Sequence, residues 1–259
     1  MSLSRILTIG DIVGPQTVEH LVRRLWDFRR SNDINLTIAN GENACIGNGL
    51  DAPTSKLLLS SGVDIITSGN HIWHKRDIRE YLDSTDAVIR PANYRTTTPG
   101  SGYTKITVDG YVYLIINIMG VVYMDPLDNP FFIVDRILNH ESGHYDFSVL
   151  DIHAEATSEK LAMAHYFDGR INIMFGTHTH VATADERILP RGSGYITDLG
   201  MCGPVNSVLG IRPEIIIEKL TTNMPVRFEI ADGPIEACGA VFTLDIESKR
   251  ITSVERVKF

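Results

Sequence analysis

The chain has 259 residues, 43% of them hydrophobic, and a net charge of -8 at neutral pH. That length suits one large domain or two small ones with ample core, and no apolar run approaches a membrane span. The acidic balance excludes a general nucleic-acid binding face, but not a phosphorylated substrate, because a metal site can supply positive charge locally. Cys45, Cys202 and Cys238 are odd in number and lack metal-type spacing, so they read as reduced thiols of a cytoplasmic protein. No leader segment is expected ahead of the first strand-like run.

Strand-like and helix-like segments alternate along the first part of the chain. Residues 5–10 (RILTIG) form an apolar, β-branched run. Over 15–30, Val18, Leu21, Val22, Leu25 and Phe28 recur at helical spacing, and Pro15 suits a first helical turn. A strand is expected at 34–39, a short helix at 52–61 ended by Gly62, a strand at 63–67, a helix at 75–82 and a strand at 87–90. Near Gly100 the pattern changes. The runs 103–108 and 111–118 flank Asp109-Gly110, a strong hairpin signal. Helices at 130–139 and 158–167 alternate with strands at 147–152 and 171–175. Beyond Gly192 the chain reads as mostly extended, at 194–198, 228–230, 237–246 and 250–257, with one helix-like insert at 213–220.

Alternating β and α units imply a parallel or mixed sheet with helices outside. The later hairpins imply a second sheet, largely antiparallel. The expected architecture is an α/β four-layer αββα sandwich of two stacked mixed sheets flanked by helices. No linker or fixed-period repeat appears, so residues 1–259 read as a single domain.

Ligands of open α/β sheets bind beyond the carboxyl ends of the strands. The residues just past each apolar run are therefore informative. Asp11 comes after RILTIG; Asn40-Gly-Glu42-Asn43 after INLTIA; Ser68-Gly-Asn70-His71 after VDIIT; His153 after FSVLDI; Gly176-Thr-His178-Thr-His180 after INIMF. Five strand ends each deliver an O or N donor, with Gly10, Gly41, Gly69 and Gly176 beside them to let the backbone turn sharply. On an extended backbone His178 and His180 would point to the same side. A donor set of Asp, Glu, Asn and His without Cys suits cations such as Mn, Fe or Zn. Seven or eight donors are too many for one ion and about right for two, the standard device for in-line displacement at phosphorus. Glu42 or Asp11 would supply a bridging carboxylate.

These residues, in this order, resemble the calcineurin-like metallophosphoesterases, and more closely their bacterial YmdB-like branch. GDIVG at 10–14, NGEN at 40–43, GNH at 69–71, DIHAEATSEK at 151–160, GTHTHVATAD at 176–185 and ITDLGMCG at 196–203 carry the resemblance. Two positions depart from the wider superfamily: Val13 stands where its first motif has a histidine ligand, and Glu42 where its second has a bridging aspartate. Both departures are typical of the narrower branch. The resemblance implies that Asp11, Glu42, Asn43 and His180 hold one ion and that Glu42, Asn70, His153 and His178 hold the other, with Fe or Mn expected and Zn the third choice. It implies attack by a metal-bridging hydroxide, with His71 acting at the phosphate or leaving group.

Around this set, Asp151 and Glu155 are candidates to orient imidazoles, and Asp198 to brace the site. Thr179 should point away from the ions, Trp73 and His74 read as loop packing, and Cys45 as a bystander. The leading function is a binuclear phosphodiesterase, and the branch implies 2′,3′-cyclic nucleotides or similar small diesters as substrates. The alternatives are a regulatory protein that keeps a metal–nucleotide pocket and acts through a partner, and an amide hydrolase, which the motif order disfavours. Homo-oligomerisation is expected from the size class and family.

Overall fold

The computed structural model describes residues 3–259. The chain runs β1 (Leu3–Ile9), β2 (Asp11–Ile12), α1 (Pro15–Ser31), β3 (Leu36–Asn40), α2 (Ala52–Ser60), β4 (Ile65–Thr67) and α3 (Ile78–Leu82). It continues through β5 (Tyr103–Val108), β6 (Tyr111–Met119), α4 (Pro130–His140), β7 (Phe147–His153), α5 (Thr157–Phe167) and β8 (Ile173–Thr177). The last part holds β9 (Arg187–Ile188), β10 (Gly194–Ile196), β11 (Met201–Pro204), α6 (Pro213–Thr222), β12 (Ile235–Glu236), β13 (Cys238–Asp245) and β14 (Arg250–Lys258). No helix among the described residues is long and apolar enough to cross a membrane.

Local chemistry explains the elements. α1 starts on Pro15 and buries Val18, Leu21 and Leu25 along one face. Asp51 caps α2 by accepting from the Thr54 N–H at 2.8 Å. Asp109 and Gly110 both take left-handed φ, 51° and 85°, which is the two-residue turn that matches the twist of β5 and β6.

One sheet has the order β14-β13-β1-β3-β4 and the other β5-β6-β7-β8-β10-β9. Ile6, Leu36 and Ile38 of the first pack against Ile115, Val149 and Ile173 of the second, so the two are stacked face to face. α1 and α2 cover the outer face of the first through Leu21, Leu25 and Leu58. α4 and α5 cover the second through Ile133, Val134 and Met163. This is the expected four-layer αββα sandwich.

Four expectations are corrected. The second sheet is not largely antiparallel: β6, β7, β8 and β10 run parallel, and only the edge pairs β5–β6 and β9–β10 are antiparallel. The C-terminal hairpin β13–β14 joins the first sheet beside β1 instead, and β2, β11 and β12 form a small third one. The expected helix at 75–82 shortens to α3, Ile78–Leu82, with a separate 3-10 turn at Ile72–His74 ahead of it. The expected strand at 87–90 contributes only an isolated bridge between Val88 and Ile66, and 228–230 only one between Ile230 and Ile211.

Candidate metal centre

The parallel strands of both sheets end at one edge, and the seven predicted donors meet there. Asp11, Glu42, Asn43 and Asn70 follow strands of the first sheet; His153, His178 and His180 lie at or beyond the ends of β7 and β8. Asp11, Glu42, Asn43 and His153 are buried. One carboxylate oxygen of Glu42 and one nitrogen each of His153 and His178 lie within 4.8 Å of one another. Asn70 Oδ1 stands 3.1 Å from His153 Nε2. Asn43 Nδ2 stands 3.2 Å from His180 Nε2, and Asp11 Oδ1 lies 3.9 Å from His180 Nε2.

Hydrogen bonds assign the tautomer of His153. Thr177 donates its hydroxyl to Asp151 Oδ1 at 2.8 Å, so it must accept from His153 Nδ1–H at 2.9 Å. In the neutral ring that leaves the Nε2 lone pair facing Glu42, Asn70 and His178. Asp151 thus orients His153 through Thr177 rather than directly, and is itself held by Thr67 at 2.5 Å and Asn40 at 3.2 Å. Burial pushes the Asp151 carboxyl up to about 6, against the pull of His153 and these donors. Glu155 Oε2 sits 3.2 Å from His178 Nε2, and His178 Nδ1 faces His153 at 3.1 Å.

His178 and His180 do not share an extended backbone. β8 ends at Thr177, and the two histidines take φ of 96° and 63°, the left-handed region that costs a residue with a Cβ. Their rings consequently diverge, one toward His153 and the other toward Asn43. Tertiary contacts hold the strained loop. The His178 N–H donates to Asp11 Oδ2 at 2.9 Å, and the Met201 N–H to the His180 carbonyl at 3.3 Å. Thr179 turns away from the donors and gives both its N–H and its hydroxyl to Asp198. Asp198 also accepts from Gly200 at 2.8 Å and from the buried Lys160 ammonium at 2.6 Å.

The neighbouring glycines serve proximity, not turning. Gly10, Gly41, Gly69 and Gly176 take no left-handed φ. A Cβ on Gly69 would lie 2.2 Å from His153 Nε2 and 2.3 Å from Glu42 Oε2, so only glycine lets the backbone close against the cluster.

His71 stands at the rim. Its Nδ1 faces two acceptors, Glu42 Oε1 at 3.1 Å and Asn43 Oδ1 at 2.9 Å, so that nitrogen carries a proton. The ring lines a cleft of about 1210 Å³ that also reaches Glu42, His178 and His180. Trp73 packs edge-on against Tyr94 and His74 tilts against His71; neither lines the cleft.

The charge balance of the centre suits a cation. Asp11 Oδ1 is buried without a hydrogen-bond partner, and burial raises that carboxyl, only partly offset by His180 and His153. Burial alone would lower His153, yet Glu42, Asp11 and Asp151 raise it to about 9: the site draws in a proton where positive charge is lacking. Burial and the neighbouring His153 push His178 down to about 3, the neutral form that ligates metal. Carboxylate, imidazole and amide donors complete a set fit for a hard-to-borderline ion.

The chain is similar to known proteins over nearly its whole length. Residues 7–257 match the family described as YmdB-like protein. The chain belongs to the YmdB-like family. It is 42% identical over 253 residues to a 2′,3′-cyclic-nucleotide 2′-phosphodiesterase of Bacillus subtilis, covering 98% of this chain and 96% of that one. A solved protein of Thermus thermophilus superposes with a TM-score of 0.92 at 38% identity, covering 98% of each chain. A novel phosphatase of Mycoplasma pneumoniae superposes at 0.94 and 32% identity, covering 100% of this chain and 94% of the other. The YmdB-like chain is a phosphoesterase in which Glu42, His153 and His178 could hold a metal ion.

Sequence reasoning passed over three contributors to this YmdB-like centre. Lys160 had a signal: it shares the buried face of α5 with Met163, Ala164 and Phe167, a cation inside an apolar stripe at spacing i, i+3, i+4, i+7. Thr177 had none, since a threonine at a strand end is ordinary. The third is the insert between β11 and β12, whose Leu209 carbonyl lies 3.3 Å from His180 Nδ1.

Proposed function

We propose that the protein hydrolyses small phosphodiesters, 2′,3′-cyclic nucleotides foremost, at a two-ion centre within a single catalytic unit. The convergence of seven O and N donors from two sheets on a buried site short of positive charge carries this reading. Asp11, Glu42, Asn43 and His180 would hold one ion, and Glu42, Asn70, His153 and His178 the other, with Glu42 shared. Iron and manganese match the donors best, with zinc the third choice. Asn43 now presents its Nδ2 to His180 and its Oδ1 to His71, so ligation would turn its amide over. Bound ions would supply Lewis-acid charge for the phosphoryl group and acidity for the attacking water.

The chain's own groups do the rest. Glu42 fixes the His71 ring through Nδ1, so that Nε2 is the nitrogen left for substrate. A proton on Nε2 passes to the leaving ester oxygen, and cleavage of the 2′ ester of a 2′,3′-cyclic nucleotide leaves the 3′-monophosphate. Asp151, Thr177 and Glu155 keep the two imidazoles turned toward the cluster.

The test is turnover of bis-p-nitrophenyl phosphate and of 2′,3′-cyclic AMP by purified protein with added Mn, Fe, Co or Zn. The expected result is cleavage that a chelator abolishes, with about two ions per chain, and a His71→Ala variant that keeps its metal but loses turnover. No cleavage with any of the four ions overturns the reading.

A further inference from the structure

Above the donors the cleft has a roof, built by the insert that holds α6. Its two legs are pinned together: the Ala231 N–H donates to the Gly210 carbonyl at 2.9 Å and the Arg212 N–H to the Glu229 carbonyl at 3.0 Å. One leg reaches His180 through Leu209. The other is tied to α1, where Gln16 donates to the Ala231 carbonyl at 3.0 Å. Between the legs α6 has no buried residue, so this helix adds nothing to the core. It stands over the site.

The cleft is too large for a phosphoryl group alone. At about 1210 Å³ it exceeds the ~300–1,000 Å³ usual for pockets that enclose drug-sized ligands. Its floor is polar, and aliphatic and aromatic side chains make up much of its walls. Ile211, Ile216, Phe228 and Ile230 line it from the roof side, facing Val13 and Ile46. Phe228 is 49% exposed, and the Lys219 ammonium sits over its ring at 4.6 Å from the centroid. That leaves the other ring face to a ligand. Arg227, its neighbour in the chain, is the one Lys or Arg among the lining residues, and it forms no ion pair among the described residues. The lining glutamates Glu19, Glu155 and Glu229 each have a partner, in Arg23, His178 and Arg212.

We propose that this roof is a subsite for a flat heteroaromatic base, with Phe228 as its stacking platform and Arg227 as the donor that meets the base's acceptor edge. The inference rests on the phosphodiesterase reading and adds the residues that select a nucleotide over a smaller ester. A planar, uncharged, acceptor-bearing ring fits an aromatic face flanked by aliphatic walls and a single free guanidinium. An aliphatic substituent would leave both Phe228 and Arg227 without a matching group. Stacking is tolerant of base identity, so recognition would favour nucleotides as a class and purines over pyrimidines by ring area.

The test measures binding of 3′-AMP and of inorganic phosphate to the manganese-loaded protein by calorimetry, without turnover. Wild type should bind 3′-AMP at least tenfold more tightly than phosphate. Phe228→Ala should weaken 3′-AMP about tenfold and leave phosphate unchanged; Phe228→Tyr should restore the affinity, and Arg227→Gln should weaken 3′-AMP by less. Equal wild-type affinities for the two probes, or a Phe228→Ala variant that keeps its preference for 3′-AMP, overturns the subsite. Unchanged phosphate binding shows that the variant is folded and loaded. Cleavage of bis-p-nitrophenyl phosphate without cleavage of 2′,3′-cyclic AMP would remove the cyclic-nucleotide activity, and the binding comparison would still decide the subsite by itself.

Discussion

The floor and the roof of the cleft are built on opposite plans. On the floor, donors stand at the ends of strands packed between two helix layers, and each is held by further buried groups: His153 by Thr177 and Asp151, the His178–His180 loop by Asp198 and Lys160. On the roof, one helix with no buried residue hangs between two legs joined by a few backbone bonds. The contrast separates two tasks. Chemistry at phosphorus needs atoms held to fractions of an ångström, and buried polar networks supply that. Stacking on an aromatic face needs only area, and an exposed insert suffices.

Removing the deepest support should give the largest effect. Lys160→Met leaves Asp198 buried with no cation, and breaking such a pair costs about 3–5 kcal/mol; denaturant titration should show it, and a loss within ~1 kcal/mol would mean that the floor is not anchored there. Next comes a donor itself. His153→Ala should lose metal by mass spectrometry and more than ~100-fold in activity, above what outer partners contribute. Thr177→Val removes the acceptor of His153 Nδ1–H while keeping shape, and should weaken metal binding by ~10–100-fold; an unchanged metal affinity would show that the ring needs no such guide. At the far end, Leu220→Ser on the outer side of α6, where Leu220 is 72% exposed, should shift stability by less than ~0.5 kcal/mol. A larger loss would mean that the insert is packed more firmly than its exposure shows.

The floor was legible in the sequence and the roof was not. Each floor donor comes after an apolar run, and runs such as RILTIG and FSVLDI mark buried strands on their own composition. Parallel strands then place their ends together without further information. The conformation of the His178–His180 loop was out of reach, because its left-handed φ values come from bonds to Asp11, Asp198 and Met201, distant in the chain. Asp109-Gly110 announced a hairpin correctly, but a turn signal says nothing about which sheet a hairpin joins; β13–β14 went to the first through its pairing with β1. On the roof, Phe228 and Arg227 lie in an exposed, aperiodic stretch that only tertiary placement brings over the donors.

The bond between the Asp11 carboxylate and the His178 amide joins residues 167 positions apart, and it ties the segment just beyond β1 of the first sheet to the loop just beyond β8 of the second. Neither sheet holds a complete donor set by itself. Contacts so distant in sequence are the slow ones to form, so the ability to take up metal should return late in refolding, after each sheet has regained its own secondary structure. Ions that bound only the joined sheets would also stabilise their union by mass action. Stripped of metal, the molecule should come apart first along the seam between its two halves, and hydrogen exchange would record that as earlier opening of the amides at Gly69, His71 and His178 than of those inside β1 or β7.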